Sequence, residues 1–173
     1  MDYKTIIFKK ADRIGYITLN RPETLNGITF EMMGEVNHAV ADVRDDHQIK
    51  ALVITGAGRS FSVGADINLL KGAFDKPVKM REFLETINQM LFNIEKLPMP
   101  VIAVVNGIAR AGGFELVLSC DMAIASDSAK IGDNHTNFGV MPGGGGTQRA
   151  PRKIGLQRAS ELIYTAKWLS GKE

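Results

Sequence analysis

The sequence holds a single cysteine, Cys120, so no intrachain disulfide is open to it, and that scarcity fits a reducing compartment. Cys120 sits in an apolar run and reads as a packed core residue rather than a nucleophile. Charge of one sign is also lacking: 21 Lys and Arg face 19 Asp and Glu, a net +2. That balance gives no electrostatic case for nucleic acid or an anionic membrane as the main partner. No window approaches the roughly 20 apolar residues of a membrane span. The opening MDYKTIIFKKADR has no apolar stretch of secretory-signal length, so the expectation is a soluble, cytoplasmic protein. Histidine is scarce: His38, His47 and His135 form no close metal-ligand pair, and no metal is expected. The loop GAGRSF begins like a dinucleotide fingerprint but has Phe61 where the third glycine belongs. Gly107 to Gly112 has phosphate-loop spacing, yet Gly113 stands where lysine must be. Ser60 and Ser62 lack the flanking glycines of a nucleophile elbow.

What is present is 173 residues, 45% of them hydrophobic, enough for one globular core. No linker or low-complexity segment divides the chain, and 1–173 reads as a single domain. IGYITLN (14–20) alternates as a half-buried strand; 51–55, 101–105 and 122–125 read as further strands, the first two of them fully buried. Apolar spacing predicts helices over 29–45, with Thr29 as cap, and over 78–97, and a last helical region that includes 156–166. A long loop spans Gly132–Gly146. Strands separated by helices argue for an α/β fold.

The stretch NGIARAGGFELVLSCD (106–121) carries chemistry. After the strand at 101–105, a short helix is expected from Gly112, whose first-turn N–H groups lack intrahelical partners and carry partial positive charge. Glu115, three residues on, shares that face. A carboxylate beside a bare N–H suits acyl chemistry through an enolate or oxyanion. The alternative is that Gly112 and Gly113 only permit tight packing and Glu115 only satisfies the helix dipole; the stretch alone leaves both open. His135 sits in the polar loop GDNHTNFG, where loops tend to carry function, and an exposed loop histidine is its competing reading. His38 and His47 read as solvated.

Three stretches, NRPETLNGI (20–28), FSVGADI (61–67) with NGIARAGGFELVLSCD, and GVMPGGGGTQR (139–149), together resemble the enoyl-CoA hydratase/isomerase (crotonase) superfamily over essentially the whole chain. The resemblance implies a spiral of repeated ββα units, acyl-CoA thioester substrates, no cofactor beyond the coenzyme A of the substrate, and homotrimers or hexamers. It implies an oxyanion hole from the Ala65 and Gly112 N–H groups, with Leu25, Ala65, Asp66, Ile67, Asn68 and Gly112 along the CoA moiety. It further implies that the chain, ending at WLSGKE, stops short of a C-terminal helical part.

Two glutamates hold water in hydratases of this superfamily; Glu115 matches the first, and Asn134-His135 replaces the Pro-Glu pair of the second. A neutral imidazole can accept or relay a proton, so hydration of a 2-enoyl-CoA by Glu115 and His135 is the leading expectation. Isomerisation is an alternative. Hydrolysis of a carbon–carbon bond is another, since some members carry histidine there, although their partner acid nine residues on is Gly144 here. A non-catalytic acyl-CoA-binding scaffold is the last. Arg149 and Asp121 read as structural. Leu69, Leu70, Phe74, Phe83 and Leu84 are each open as pocket or core.

Overall fold

The computed structural model describes residues 2–73 and 75–173; Phe74 lies outside the described residues. In chain order the elements are β1 (Ile6–Ala11), β2 (Ile14–Leu19), α1 (Phe30–Asp45), β3 (Ala51–Gly56), β4 (Ser60–Ser62), α2 (Ile67–Ala73), α3 (Pro77–Glu95) and β5 (Val101–Val105). They continue with β6 (Ile108–Arg110), α4 (Gly112–Ser119), β7 (Met122–Ala125), β8 (Lys130–Gly132), α5 (Gly146–Ile154), α6 (Leu156–Thr165) and β9 (Leu169–Ser170).

The strands form two sheets with matching order. One runs β1-β2-β3-β5-β7, the other β4-β6-β8-β9. From β3 onward each repeat gives a longer strand to the first sheet, a short one to the second, and then helix, so β3-β5-β7 and β4-β6-β8 advance together as parallel ladders. This is the ββα spiral. Asn106 turns the corner between the sheets: its Oδ1 accepts the Gly56 N–H at 3.2 Å and its Nδ2 donates to the Gly58 carbonyl at 2.9 Å.

The core lies between the first sheet and two helices. Leu52 and Ile54, and Val101, Ala103 and Val105, are buried against Met33, Val36 and Val40 of α1 and Met90, Leu91 and Ile94 of α3. Strands β3 and β5 are buried on alternate residues only, so the fully buried reading of 51–55 and 101–105 is corrected: the helices cover one face of the sheet. Thr29 caps α1 as expected, its hydroxyl accepting the Met32 N–H at 3.2 Å. The long loop expected over Gly132–Gly146 holds a 3-10 turn at His135–Phe138, and helix α5 begins where it ends. Among the described residues no helix is long and apolar enough to cross a membrane.

Candidate active site

Strand β6 enters α4 through Ala111, whose φ of 48° and ψ of −124° form a conformation that a side chain disfavours. It is held from both ends. The Ala111 N–H donates to the Asp133 carbonyl at 2.8 Å, and the Ala111 carbonyl accepts the Glu115 N–H at 3.0 Å. No side chain caps α4, and the Gly112 N–H has no partner among the described residues.

The two glycines serve different ends. A Cβ on Gly113 would overlap the Ser62 carbonyl of β4, so Gly113 permits close packing. Gly112 instead faces the Gly64-Ala65 turn, where a Cβ would come 3.2 Å from Gly64 Cα and 3.6 Å from the Ala65 nitrogen. Gly64 has φ +86°, and a Cβ there would stand 2.7 Å from the Gly112 nitrogen. Beside it, the Ile28 N–H donates to the Gly64 carbonyl at 2.8 Å and the Asp66 N–H to the Ile28 carbonyl at 2.9 Å. Successive N–H groups of extended backbone alternate sides, so the Ala65 N–H points away from Ile28. It too has no partner among the described residues.

Helix α2 begins at Ile67, with Asp66 as its cap. The Asp66 carbonyl accepts the Leu70 N–H, Oδ1 accepts the Asn68 N–H at 2.9 Å, and Oδ2 takes the Arg21 guanidinium at 2.8 Å. Burial raises the Asp66 pKa, but these donors outweigh it and hold the carboxyl below its usual range. Its side chain is therefore committed inward, while Ile67 and Asn68 are exposed. Leu25, left-handed at φ 56°, accepts the Val63 N–H on its carbonyl at 3.2 Å and ties the first loop to this turn.

Glu115 is 2% exposed. Its Oε1 accepts the Gly146 N–H at 2.8 Å, and Oε2 lies 3.9 Å from His135 Nε2. A Cβ on Gly144 would overlap this carboxylate. On the other edge of the imidazole, Nδ1 lies 3.1 Å from Asp133 Oδ1, which also accepts the His135 backbone N–H at 3.2 Å. Burial pushes the Glu115 pKa up, aided by Asp133 and opposed by His135 and the Gly146 and Gly144 N–H groups; the result is a raised value. Burial lowers the His135 pKa, but the Asp133 hydrogen bond and the charges of Glu115 and Asp133 outweigh it, and the net shift is upward. Asp133 is the residue that sequence reasoning missed; an acid two residues before His135 in one polar loop was the available signal.

The remaining candidates are structural. Arg149 pairs with Glu95 at 3.0 Å and donates to the Gly144 carbonyl at 2.7 Å. Asp121 accepts the Val101 N–H at 2.8 Å. Burial pushes the Cys120 thiol up to about 12, which removes it as a nucleophile. His38 and His47 are exposed. Among the described residues no group of His, Cys, Asp and Glu is placed to hold a metal. Phe83 is core, and Leu69 and Leu84 pack partly buried against it. Leu84 also borders a groove of about 470 Å³ lined by Met80, Arg81 and Asn88, and Asn88 Nδ2 donates to the Gly143 carbonyl at 2.8 Å.

A family profile described as enoyl-CoA hydratase/isomerase matches residues 9–173. The chain belongs to the enoyl-CoA hydratase/isomerase family. Members similar to it include the short-chain-enoyl-CoA hydratase of Clostridium acetobutylicum, 36% identical over 174 residues, and the crotonyl-CoA hydratase of Syntrophomonas wolfei, 39% identical over 175. Each alignment takes in 100% of this chain and 66% of the relative, so the chain spans just under two thirds of their length. The crystal structure of an enoyl-CoA hydratase from Bacillus anthracis superposes with a TM-score of 0.94 at 36% identity, over 98% of this chain and 66% of that one. The family's fold is thus the ββα spiral described above.

Proposed function

We propose that the chain binds 2-enoyl-CoA thioesters and adds water across their conjugated double bond. The observation that supports this reading is the closeness of the Gly64-Ala65 turn to Gly112, with the Ala65 and Gly112 N–H groups both without a partner among the described residues. Both donate to the thioester oxygen and stabilise the enolate as it forms, each such donor contributing about 3 kcal/mol to the transition state. Glu115 Oε2 and His135 Nε2 hold the water between them. Glu115, with its raised pKa, takes a proton as the water oxygen bonds to C3 and the electron pair moves onto the thioester oxygen. Protonated His135 then gives its Nε2 proton to C2 as the enolate collapses, and the proton on Glu115 passes to the neutral ring and restores the imidazolium.

Leu25 and the turn from Ala65 through Asp66, Ile67 and Asn68 flank the CoA moiety in this reading, with Ile67 and Asn68 offering exposed surface. No cofactor beyond the substrate's own coenzyme A enters the scheme. The same reading carries one domain over 1–173, a cytoplasmic location, and assembly as a homotrimer or hexamer. Exposed Met122 and Ile124 on edge strand β7 support the assembly.

The test is incubation with crotonyl-CoA, following loss of the conjugated thioester absorbance and identifying the product. Formation of the 3-hydroxyacyl thioester supports hydration. A double-bond-shifted thioester would make the chain an isomerase, and tight binding without turnover would make it a scaffold.

A further inference from the structure

Asp133 has no role in the hydration scheme, yet its placement asks for one. It is 0% exposed, Oδ1 faces His135 Nδ1 at 3.1 Å, and Oδ2 has no hydrogen-bond partner among the described residues. A carboxylate buried only for the fold's sake has both oxygens supplied with donors, as Glu35 does from Lys4, Thr5 and Ile6. Resting on the hydration reading above, we infer that Asp133 is a positioning residue, which keeps the proton on His135 Nδ1 so that Nε2 alone gives and regains the proton exchanged with substrate.

Three features carry this. Asp133 and Glu115 flank opposite edges of one imidazole, so the three groups form a row with Nε2 facing Glu115 Oε2 at 3.9 Å. The row is braced, since Asp133 Oδ1 also accepts the His135 backbone N–H and the Asp133 carbonyl accepts the N–H of Ala111, the residue before Gly112. Asn134, left-handed at φ 56°, anchors the loop through Nδ2 to the Ala166 carbonyl at 2.6 Å. The imidazole has little freedom to turn over. The charged groups around it are Asp133 from its own loop and Glu115 from α4; Arg149 of α5 is engaged by Glu95 and the Gly144 carbonyl. Between two carboxylates the imidazole holds its second proton to higher pH, in keeping with its raised pKa.

Nitrogen-15 NMR of the His135 ring tests the inference in the full chain, with His135→Gln providing the assignment. In the neutral wild type the proton should sit on Nδ1. Asp133→Asn should move the His135 titration to lower pH and, through loss of the orienting charge, reduce kcat on crotonyl-CoA on the order of a hundredfold. The His135-dependent limb of its pH profile should move the same way, and Asp133→Glu should restore part of both. A neutral wild type protonated on Nε2, or an Asp133→Asn chain titrating at the wild-type midpoint, overturns the inference. If Asp133→Asn does not fold, the wild-type tautomer alone decides. Absence of hydration in the wild type would sink the proposed function, while the tautomer and titration would still judge the role of Asp133.

Discussion

Glu35 of α1 receives the N–H groups of Lys4, Thr5 and Ile6 and the hydroxyl of Thr5, at 2.5 to 3.2 Å. Glu115 of α4 receives the Gly146 N–H on one oxygen and turns the other toward an imidazole. The helices that carry them begin as differently: α1 at Thr29, extended and capping with its hydroxyl, α4 at Ala111, in a strained conformation with no side-chain cap among the described residues. Burial opposes ionisation at both glutamates. At Glu35 the donors win and the pKa falls; at Glu115 burial wins and it rises. A helix finished for stability ties up its donors and its charge. One that leaves both unfinished can offer them to a substrate.

Exchanging each glutamate for glutamine gives the sharpest contrast. Glu115→Gln should cut turnover of crotonyl-CoA by at least about a hundredfold while CoA-ester binding survives. Wild-type turnover in that chain would erase the distinction between the two helices. Glu35→Gln should leave turnover per folded molecule unchanged and cost about 1–3 kcal/mol in urea unfolding, because an amide cannot accept all four donors.

Stability against pH separates the pair further. The depressed pKa of Glu35 contributes stability that is present above its unfolded pKa and is lost as pH falls through the folded one. For Glu115 the sign reverses: between its unfolded and its higher folded pKa the native state binds the extra proton, so stability falls as pH rises. Urea midpoints measured across that window should decline more in wild type than in Glu115→Gln, and the acid-side loss should shrink in Glu35→Gln. The helix starts give the smallest effects, of opposite sign. Thr29→Ala should cost about 1 kcal/mol. Ala111→Gly should gain about 1 kcal/mol, relief of backbone strain less the entropy of an added glycine.

Much of this was legible in the sequence. The strands at 101–105 and 122–125 and the start of α4 at Gly112 fall where the apolar runs and glycines put them. The second sheet was not legible, because β4, β6 and β8 are three residues long and too short to show a period. Helix α5 was not told apart from α6 in the last helical region, because Pro151 and its polar, basic GTQRAPRKI sequence blur its bounds and it starts from left-handed Gly145 without a capping side chain. Alternate burial of β3 and β5 escaped notice since their outward residues, Val53, Ile102 and Val104 among them, are apolar too. Of the site, Ala65, Gly112, Glu115 and His135 were named in advance. Asp133 was passed over because its place two residues before His135 does not by itself tell which way the ring turns.

Amide NMR during titration with a nonreactive acyl-CoA thioester tests the convergence of the two main-chain donors most directly. The account predicts that the Ala65 and Gly112 N–H resonances move downfield together and saturate at one ligand concentration. Saturating ligand that leaves both resonances in place, or moves only one, would contradict it.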